Sequence, residues 1–248
     1  MRISIVMTYF NRRLQLINTL ESFQKYDPQD FNVIIVDDNS PEDIILPALD
    51  FDVEIIKLTT RKTVSSGPAY NEGFLKALQS TPDIIIIQNA ECYHATDIIS
   101  KAKEVNEKTY IAFSCYSLSE NDQIETVLRN DRVALFNGDS AWYNHPEYRP
   151  VGFHFCSAIT TGNLKRINGF DERFMYGIDY DDNYLIHQIR TMGLEVIIPA
   201  DYFVYHQFHY NIPRPIDGFV GLRNNLDIYN ELVVKNEFRA VHLITPDL

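Results

Sequence analysis

Cysteine is scarce in this chain, with 3 in 248 residues. Cys92, Cys115 and Cys156 form neither a disulfide framework nor a zinc-type spacing, and the simple inference is a reducing compartment. No apolar stretch approaches the ~18 residues of a membrane span. The opening Met1-Arg2 leads into an apolar run of about five residues, too short for a signal peptide, so a buried strand and a soluble, cytoplasmic chain are expected. Basic charge is also short: 22 Lys and Arg stand against 34 Asp and Glu, for a net charge of −12. They form no run, which argues against nucleic acid as a partner. An acidic protein that takes an anionic ligand commonly does so through a metal ion. No Gly-x-Gly-x-x-Gly follows the first apolar run and no Walker-type loop occurs, so the usual dinucleotide and phosphate-loop sites are disfavoured.

What is present is an alternation of strand and helix patterns. Ile3–Met7, Val33–Val36, Val53–Leu58 and Asp83–Ile87 read as apolar strands, the last holding the isoleucines 84–87. Leu14, Ile17, Leu20 and Phe23 recur at helical spacing, and Asn71–Leu78 reads as a helix behind Gly67-Pro68. Strands that are apolar without alternation predict a mainly parallel sheet with helices on both faces, an α/β fold. Residues 115–152 are weakly patterned and hold the single tryptophan, Trp142. A helix over Asp182–Met192, strands near Val196–Ile198 and Phe203–Tyr205, and a helix around 220–235 complete the expectation.

In such sheets ligands sit beyond the carboxyl ends of the strands. That rule selects Thr8-Tyr9-Phe10-Asn11, Asp37-Asp38-Asn39-Ser40 and Gln88-Asn89-Ala90-Glu91. The second segment reads either as a turn or as a carboxylate that accepts from a base N–H or a ribose hydroxyl. In the third, Glu91 could bind a hard divalent cation with the Asn89 amide oxygen beside it, or close an ordinary polar strand end. His206 and His209 are structural histidines or, with Glu91, a cation site better suited to Mn²⁺ than to Zn²⁺. Trp142 and Tyr143, next to His145, are either walls for a sugar ring or loop packing. The densest signal is Asn168–Gly193. A glycine-bearing turn there leads to Asp179, Asp181 and Asp182, which open a helix. Acids favour a helix start, but three in four residues exceed what capping needs. A carboxylate at a pocket mouth is what deprotonating a hydroxyl requires.

Taken in order, these segments resemble family 2 glycosyltransferases of GT-A fold. The resemblance lies in Ser4–Arg12, Val33–Ser40, Gly162–Phe174, Asp181-Asp182 and Gly193. The catalytic stretch is also similar to that of β-1,4-galactosyltransferases. The resemblance covers roughly residues 1–210. It implies a GT-A domain over 1–210, with a nucleotide-binding half (1–91) and an acceptor and catalytic half (92–210), and a helical extension over 211–248. It further implies a metal-dependent, inverting transferase of hexosyltransferase type, which moves a sugar from a nucleotide-sugar, UDP-linked for preference, to a hydroxyl of a glycan or other acceptor. Asp38 resembles the acid that bonds uracil, with Thr8, Tyr9, Asn11, Asn71 and Asn89 around the nucleotide. Glu91 and His206, ahead of His209, resemble the ligands of a divalent ion, Mn²⁺ before Mg²⁺. Asp182 resembles the general base and Asp181 stands in the place of a glutamate beside it. Trp142, His145 and His209 are assigned to the sugar or acceptor. Asn89 and Glu91 stand where the family carries two aspartates. That departure leaves open a nucleotide-sugar binding protein without turnover; a nucleotidyltransferase is the third reading.

Overall fold

The structure is a computed structural model and describes residues 1–60, 63–122, 141–210 and 224–248, together with Ile124 and Val127. Strands β1 (Ile3–Tyr9), β2 (Phe31–Asp37), β3 (Val53–Lys57) and β4 (Ile84–Asn89) form the parallel half of a seven-stranded sheet. Strands β5 (Cys92–His94), β6 (Thr109–Ala112), β7 (Ser114–Ser117), β8 (Trp142–Asn144), β9 (Cys156–Thr160), β10 (Glu195–Ile197) and β11 (Phe203–His206) follow in the chain. The large sheet runs β10-β6-β9-β4-β1-β2-β3, with β9 antiparallel to both of its neighbours. A smaller sheet runs β5-β11-β7-β8. The fold is mixed α/β, as the apolar strand runs predict.

The β-branched runs explain why the central strands are central. Ile84–Ile87 are each at most 1% exposed, which contributes roughly 1.5–3 kcal/mol per side chain. Successive side chains alternate between two cores. Ile3, Ile5, Met7, Ile84 and Ile86 pack on one face beside α1 (Arg13–Glu21) and α3 (Ile98–Ala102). Val6, Ile34, Val36, Ile85 and Ile87 pack on the other beside α2 (Gly67–Leu78), α4 (Thr161–Ile167) and α5 (Asp181–Thr191). The α2 helix lies so close to the sheet that a Cβ on Gly73 would stand 2.5 Å from Val6 Cγ1.

Three sequence expectations shift. The α2 helix starts at Gly67, not at Asn71, because Pro68 falls in its first turn, where proline lacks no needed hydrogen bond. Strands β6, β7 and β9 appear where no strand pattern was read. Their Ser, Thr and Cys content hides segments that tertiary pairing buries. The weakly patterned 115–152 region contributes β7 and β8 to the small sheet, and its residues 123, 125, 126 and 128–140 lie outside the described ones. Past α6 (Asn225–Val234), residues 235–248 are non-helical and return to the body of the molecule. Residues 211–223 of the expected extension, including the start of the helix read around 220–235, lie outside the described residues.

Candidate active site

Strand register levels the first set of residues. Tyr9 of β1 pairs with Asp37 of β2, and Thr8 pairs with Asn89 of β4. Thr8, Tyr9, Asp38 and Asn89 therefore share one edge of the parallel half. The Asp38 N–H donates to the Tyr9 carbonyl (2.9 Å) and the Asn11 N–H donates to Ser40 Oγ (3.0 Å), so the loops after β1 and β2 are tied together. Asn11 holds a left-handed φ of 48° at that junction, a conformation that asparagine tolerates better than most residues.

Glu91 leaves β4 and enters β5, whose antiparallel pairing with β11 sets Cys92 opposite His206. The Gln207 N–H closes the pair on the Glu91 carbonyl (3.0 Å). This brings both histidines to one carboxylate oxygen. His206 Nε2 lies 3.2 Å and His209 Nε2 3.5 Å from Glu91 Oε1, and one ligand atom from each of the three residues falls within 4.8 Å of the others. Arg12 Nη1 contacts the same oxygen at 2.5 Å. Burial pushes the Glu91 carboxyl up, but bonds from His206 and His209 and the Arg12 charge outweigh it and hold the group well below the usual range. One carboxylate and two imidazoles fit a divalent transition ion with free positions. Asn89 is engaged elsewhere, because its Oδ1 accepts from the Tyr70 hydroxyl at 3.0 Å.

Asp181 and Asp182 open α5. Asp179 and Tyr180, immediately before it, hold left-handed φ values of 64° and 66°, and each costs about 1–3 kcal/mol unless its surroundings impose it. Asn225 of α6 imposes the geometry: its Nδ2 donates to the Asp179 carbonyl (2.8 Å) and to the Phe174 carbonyl (3.2 Å). Gly177 makes room for it, since a Cβ there would lie 2.1 Å from Asn225 Oδ1. Asp181 Oδ2 takes the Ser65 hydroxyl at 2.6 Å and its Oδ1 takes the Asp182 N–H at 3.1 Å. Burial, then the charge of Asp182, raises the Asp181 carboxyl above its ordinary range.

The Asp182 carboxylate meets His154, whose Nδ1 stands 2.7 Å from Oδ1. Burial works against the charged imidazole, but Asp182 outweighs it and the His154 value rises. His154 escaped the sequence reading because it lies in a stretch without periodicity; its only signal is a histidine just ahead of β9. The two clusters are linked through aromatic rings. The Phe155 ring lies 6.5 Å from that of His154 and 5.9 Å from that of His206. The Asn89 N–H donates to the Phe155 carbonyl (3.0 Å). The Tyr70 hydroxyl feels the charges of both Glu91 and Asp182.

Three of the assigned residues have side chains engaged in packing or in bonds to the backbone. Asn71 is fully buried, and its side chain donates to the Phe170 carbonyl (2.9 Å) and to Glu172 (3.2 Å) while its Oδ1 accepts the Phe170 N–H (2.9 Å). A side chain so committed clamps the turn before α5. Trp142 packs edge-on against Tyr116 and Phe203 in a separate core. His145 stacks on Tyr148 and accepts the N–H groups of Glu147 and Tyr148 at 3.2 Å each. Tyr143, on the opposite side of β8 from Trp142, is the ring that faces His206, at 5.1 Å. His209, assigned to the sugar or acceptor and set behind His206 as a metal ligand, stands in the Glu91 cluster. A cavity of about 400 Å³ opens beyond Gln207, between Leu14 and Tyr210, but touches none of Asp38, Glu91, Asp181 and Asp182.

The architecture is that of GT-A glycosyltransferases. It is similar to S. aureus TarS 1–349, with a TM-score of 0.59 and 13% identity over 84% of this chain and 60% of that one. TarS 1–349 in complex with UDP-GlcNAc gives 0.57 and 11%, over 95% and 65%. The mannosyltransferase PcManGT from Pyrobaculum calidifontis, in complex with GDP-Man and Mn²⁺, gives 0.52 and 17%, over 82% and 56%. This chain thus spans less than two thirds of those proteins, and at such identities the likeness establishes the fold. No curated protein matches the chain. The family profile described as glycosyl transferase family 2 matches residues 4–166, and the chain belongs to that family. Among the described residues, no helix is long and apolar enough to cross a membrane.

Proposed function

We propose that the protein is an inverting glycosyltransferase that takes its sugar from a nucleotide-sugar, a UDP-sugar for preference, and passes it to a hydroxyl of a glycan or other acceptor. The observation that carries this reading is the paired arrangement on one sheet edge: a carboxylate with two histidines at Glu91, and a carboxylate held by a histidine at Asp182. Asp38, Thr8, Tyr9, Asn11 and Asn89 line the nucleotide, and Asp38 takes the ring N–H of the base. Glu91, His206 and His209 would hold a divalent ion, Mn²⁺ ahead of Mg²⁺ for this mixed donor set. When bound, such an ion neutralises charge on the diphosphate leaving group.

Asp182 accepts the proton of the acceptor hydroxyl, whose oxygen attacks the anomeric carbon from the face opposite the diphosphate. His154 Nδ1 fixes the orientation of that carboxylate. Ser65 holds Asp181 beside it, so the two acids keep separate positions despite their charges. Base catalysis of this kind contributes roughly 10²–10⁴-fold.

The test is nucleoside diphosphate release from a panel of UDP-glucose, UDP-galactose, UDP-GlcNAc and GDP-mannose with Mn²⁺, in wild type and in Asp182→Asn. Release should fall by roughly 10²–10⁴-fold in the variant, with UDP affinity close to wild type. Equal turnover in both proteins rejects Asp182 as the base. The alternative, a binding protein without turnover, draws on the Asn89 amide being occupied by Tyr70. It predicts donor binding with no released diphosphate in either protein.

A further inference from the structure

Residues 240–248 form a strap fastened largely by one buried carboxylate. Glu172 is fully buried in a short 3₁₀ turn, Glu172–Phe174. Its Oε2 accepts the N–H groups of Leu243 (2.6 Å), Ile244 (2.7 Å) and Thr245 (3.3 Å), and its Oε1 accepts the Thr245 hydroxyl (2.5 Å). Burial pushes this carboxyl up, but the Thr245 hydroxyl and the Ile244 and Leu243 amides outweigh it and hold the carboxyl low. Asn168 adds a second fastening, accepting the Leu248 N–H at 2.9 Å and donating to the Ala240 carbonyl at 3.0 Å. Charge-assisted bonds of this kind are about twice as strong as neutral ones, so the direction of residues 244 and 245 is fixed.

They point at the nucleotide end of the sheet. Ile244 and Thr245 line a cavity of about 150 Å³ together with Asp38, Leu58, Thr60 and Thr63. The lining combines aliphatic side chains (Leu58, Pro68, Ala69 and Ile244) with threonine hydroxyls and two carboxylates, Asp38 and Glu72. A flat heterocycle with an apolar face and a polar rim matches such a lining. An enclosed, engineered cavity of about 150 Å³ in another protein takes a single benzene ring; this cavity has a similar volume and opens to solvent on one side, so a one-ring base fills it.

We propose that Ile244 and Thr245 form the outer wall of a pyrimidine subsite, through which the strap selects UDP over GDP. The proposal rests on the nucleotide-sugar reading above and adds to it a selectivity element outside the matched 4–166 segment. Ile244 lies over the ring face, Thr245 is held by Glu172, and Asp38 meets the ring edge.

Calorimetric titration of the full chain with UDP, GDP and inorganic pyrophosphate, each with Mn²⁺, tests it. The proteins are wild type, Ile244→Ala and Leu243→Ala. Ile244 and Leu243 are 55% and 53% exposed, so neither change threatens folding, and Leu243 lies outside the cavity lining. Wild type should prefer UDP over GDP by about tenfold or more. Ile244→Ala should weaken UDP by roughly tenfold, narrow the gap to GDP and leave pyrophosphate unchanged. Leu243→Ala should match wild type throughout. Unchanged UDP affinity in Ile244→Ala, or equal UDP and GDP affinity in wild type, overturns the pyrimidine wall while leaving the nucleotide-sugar reading standing. A wild type that binds neither nucleoside diphosphate overturns both.

Discussion

Gly177→Ala separates the packing before α5 from generic expectation, because the two predict opposite signs. Gly177 is not at a positive φ. At such a position, replacing glycine by alanine ordinarily stabilises by about 0.4–1 kcal/mol through the unfolded chain. Here the new Cβ would stand 2.1, 2.4 and 2.7 Å from Oδ1, Cγ and Nδ2 of Asn225, a side chain in a residue only 2% exposed. Asn225 must leave, and with it go the bonds to the Phe174 and Asp179 carbonyls. Two bonds at about 1 kcal/mol each, plus the cost of stranding buried carbonyls, give a loss of roughly 2–4 kcal/mol. For a chain of this length that corresponds to a melting temperature lower by roughly 4–16 °C. Released from Asn225, the left-handed pair Asp179-Tyr180 relaxes and Asp182 drifts, so turnover falls together with stability. The assay is thermal unfolding of Gly177→Ala, Asn225→Ala and the double variant. The double variant should be no less stable than Asn225→Ala, since both changes remove the same bonds. Additive losses, or a Gly177→Ala protein as stable as wild type, would refute the reasoning.

Two further outcomes follow from the charge clusters. His154→Asn keeps an N–H donor toward Asp182 but cannot ionise. The folded His154 value is raised above its ordinary ~6.5. Its contribution to stability is therefore full below about pH 6.5 and is lost as pH rises through the folded value. The melting-temperature gap between wild type and His154→Asn should be widest near pH 5.5 and close by pH 8.5; a gap that does not vary with pH counts against the His154–Asp182 pair. Glu91→Ala removes the carboxylate that gathers His206, His209 and Arg12. Manganese paramagnetic titration in the presence of UDP should show the variant binding the ion at least about tenfold more weakly, and equal binding in both proteins would remove Glu91 from the metal site.

The legible part of the fold is the part in which a strand buries both faces through its own residues. Val33–Val36 and the isoleucines of β4 could hardly be anything else. Strand β9, with the sequence Cys-Ser-Ala-Ile-Thr, is equally buried, but its neighbours β4 and β6 supply the apolar surface, and no local pattern records that. The site divides in the same way. Asp38 and Glu91 stand out in sequence because they follow strands β2 and β4, and strand ends are where ligands bind. His154 and Tyr143 reach Asp182 and His206 across distances that only the fold sets. The partner of Asn71, the 170–172 turn, lies far along the chain, and no local pattern records it. Glu172, unremarkable beside the acids that follow it, anchors the returning strap.

The adjacent aspartates of α5 illustrate what coordinates add to a motif that was already visible. In sequence Asp181 and Asp182 are equivalent acids in a first helical turn. In space they differ in partners. Asp181 gives one oxygen to Ser65 and the other to the Asp182 N–H, and its carboxyl is pushed up by burial and by its neighbour's charge. A group with both oxygens so occupied is poorly placed to collect a proton from an incoming alcohol. The Asp182 side chain is 30% exposed and has His154 Nδ1 2.7 Å from one oxygen. One oxygen fixed and a carboxylate open to solvent is the arrangement that a general base requires, because orientation must be set before the acceptor arrives. The imidazole also sets the cost of using it: while His154 is charged, its attraction for the carboxylate competes with the acceptor hydroxyl. Turnover that climbs with pH through the raised His154 value in wild type, and loses that limb in His154→Asn, would be the kinetic trace of this division of labour. An identical limb in both proteins would assign it to another group.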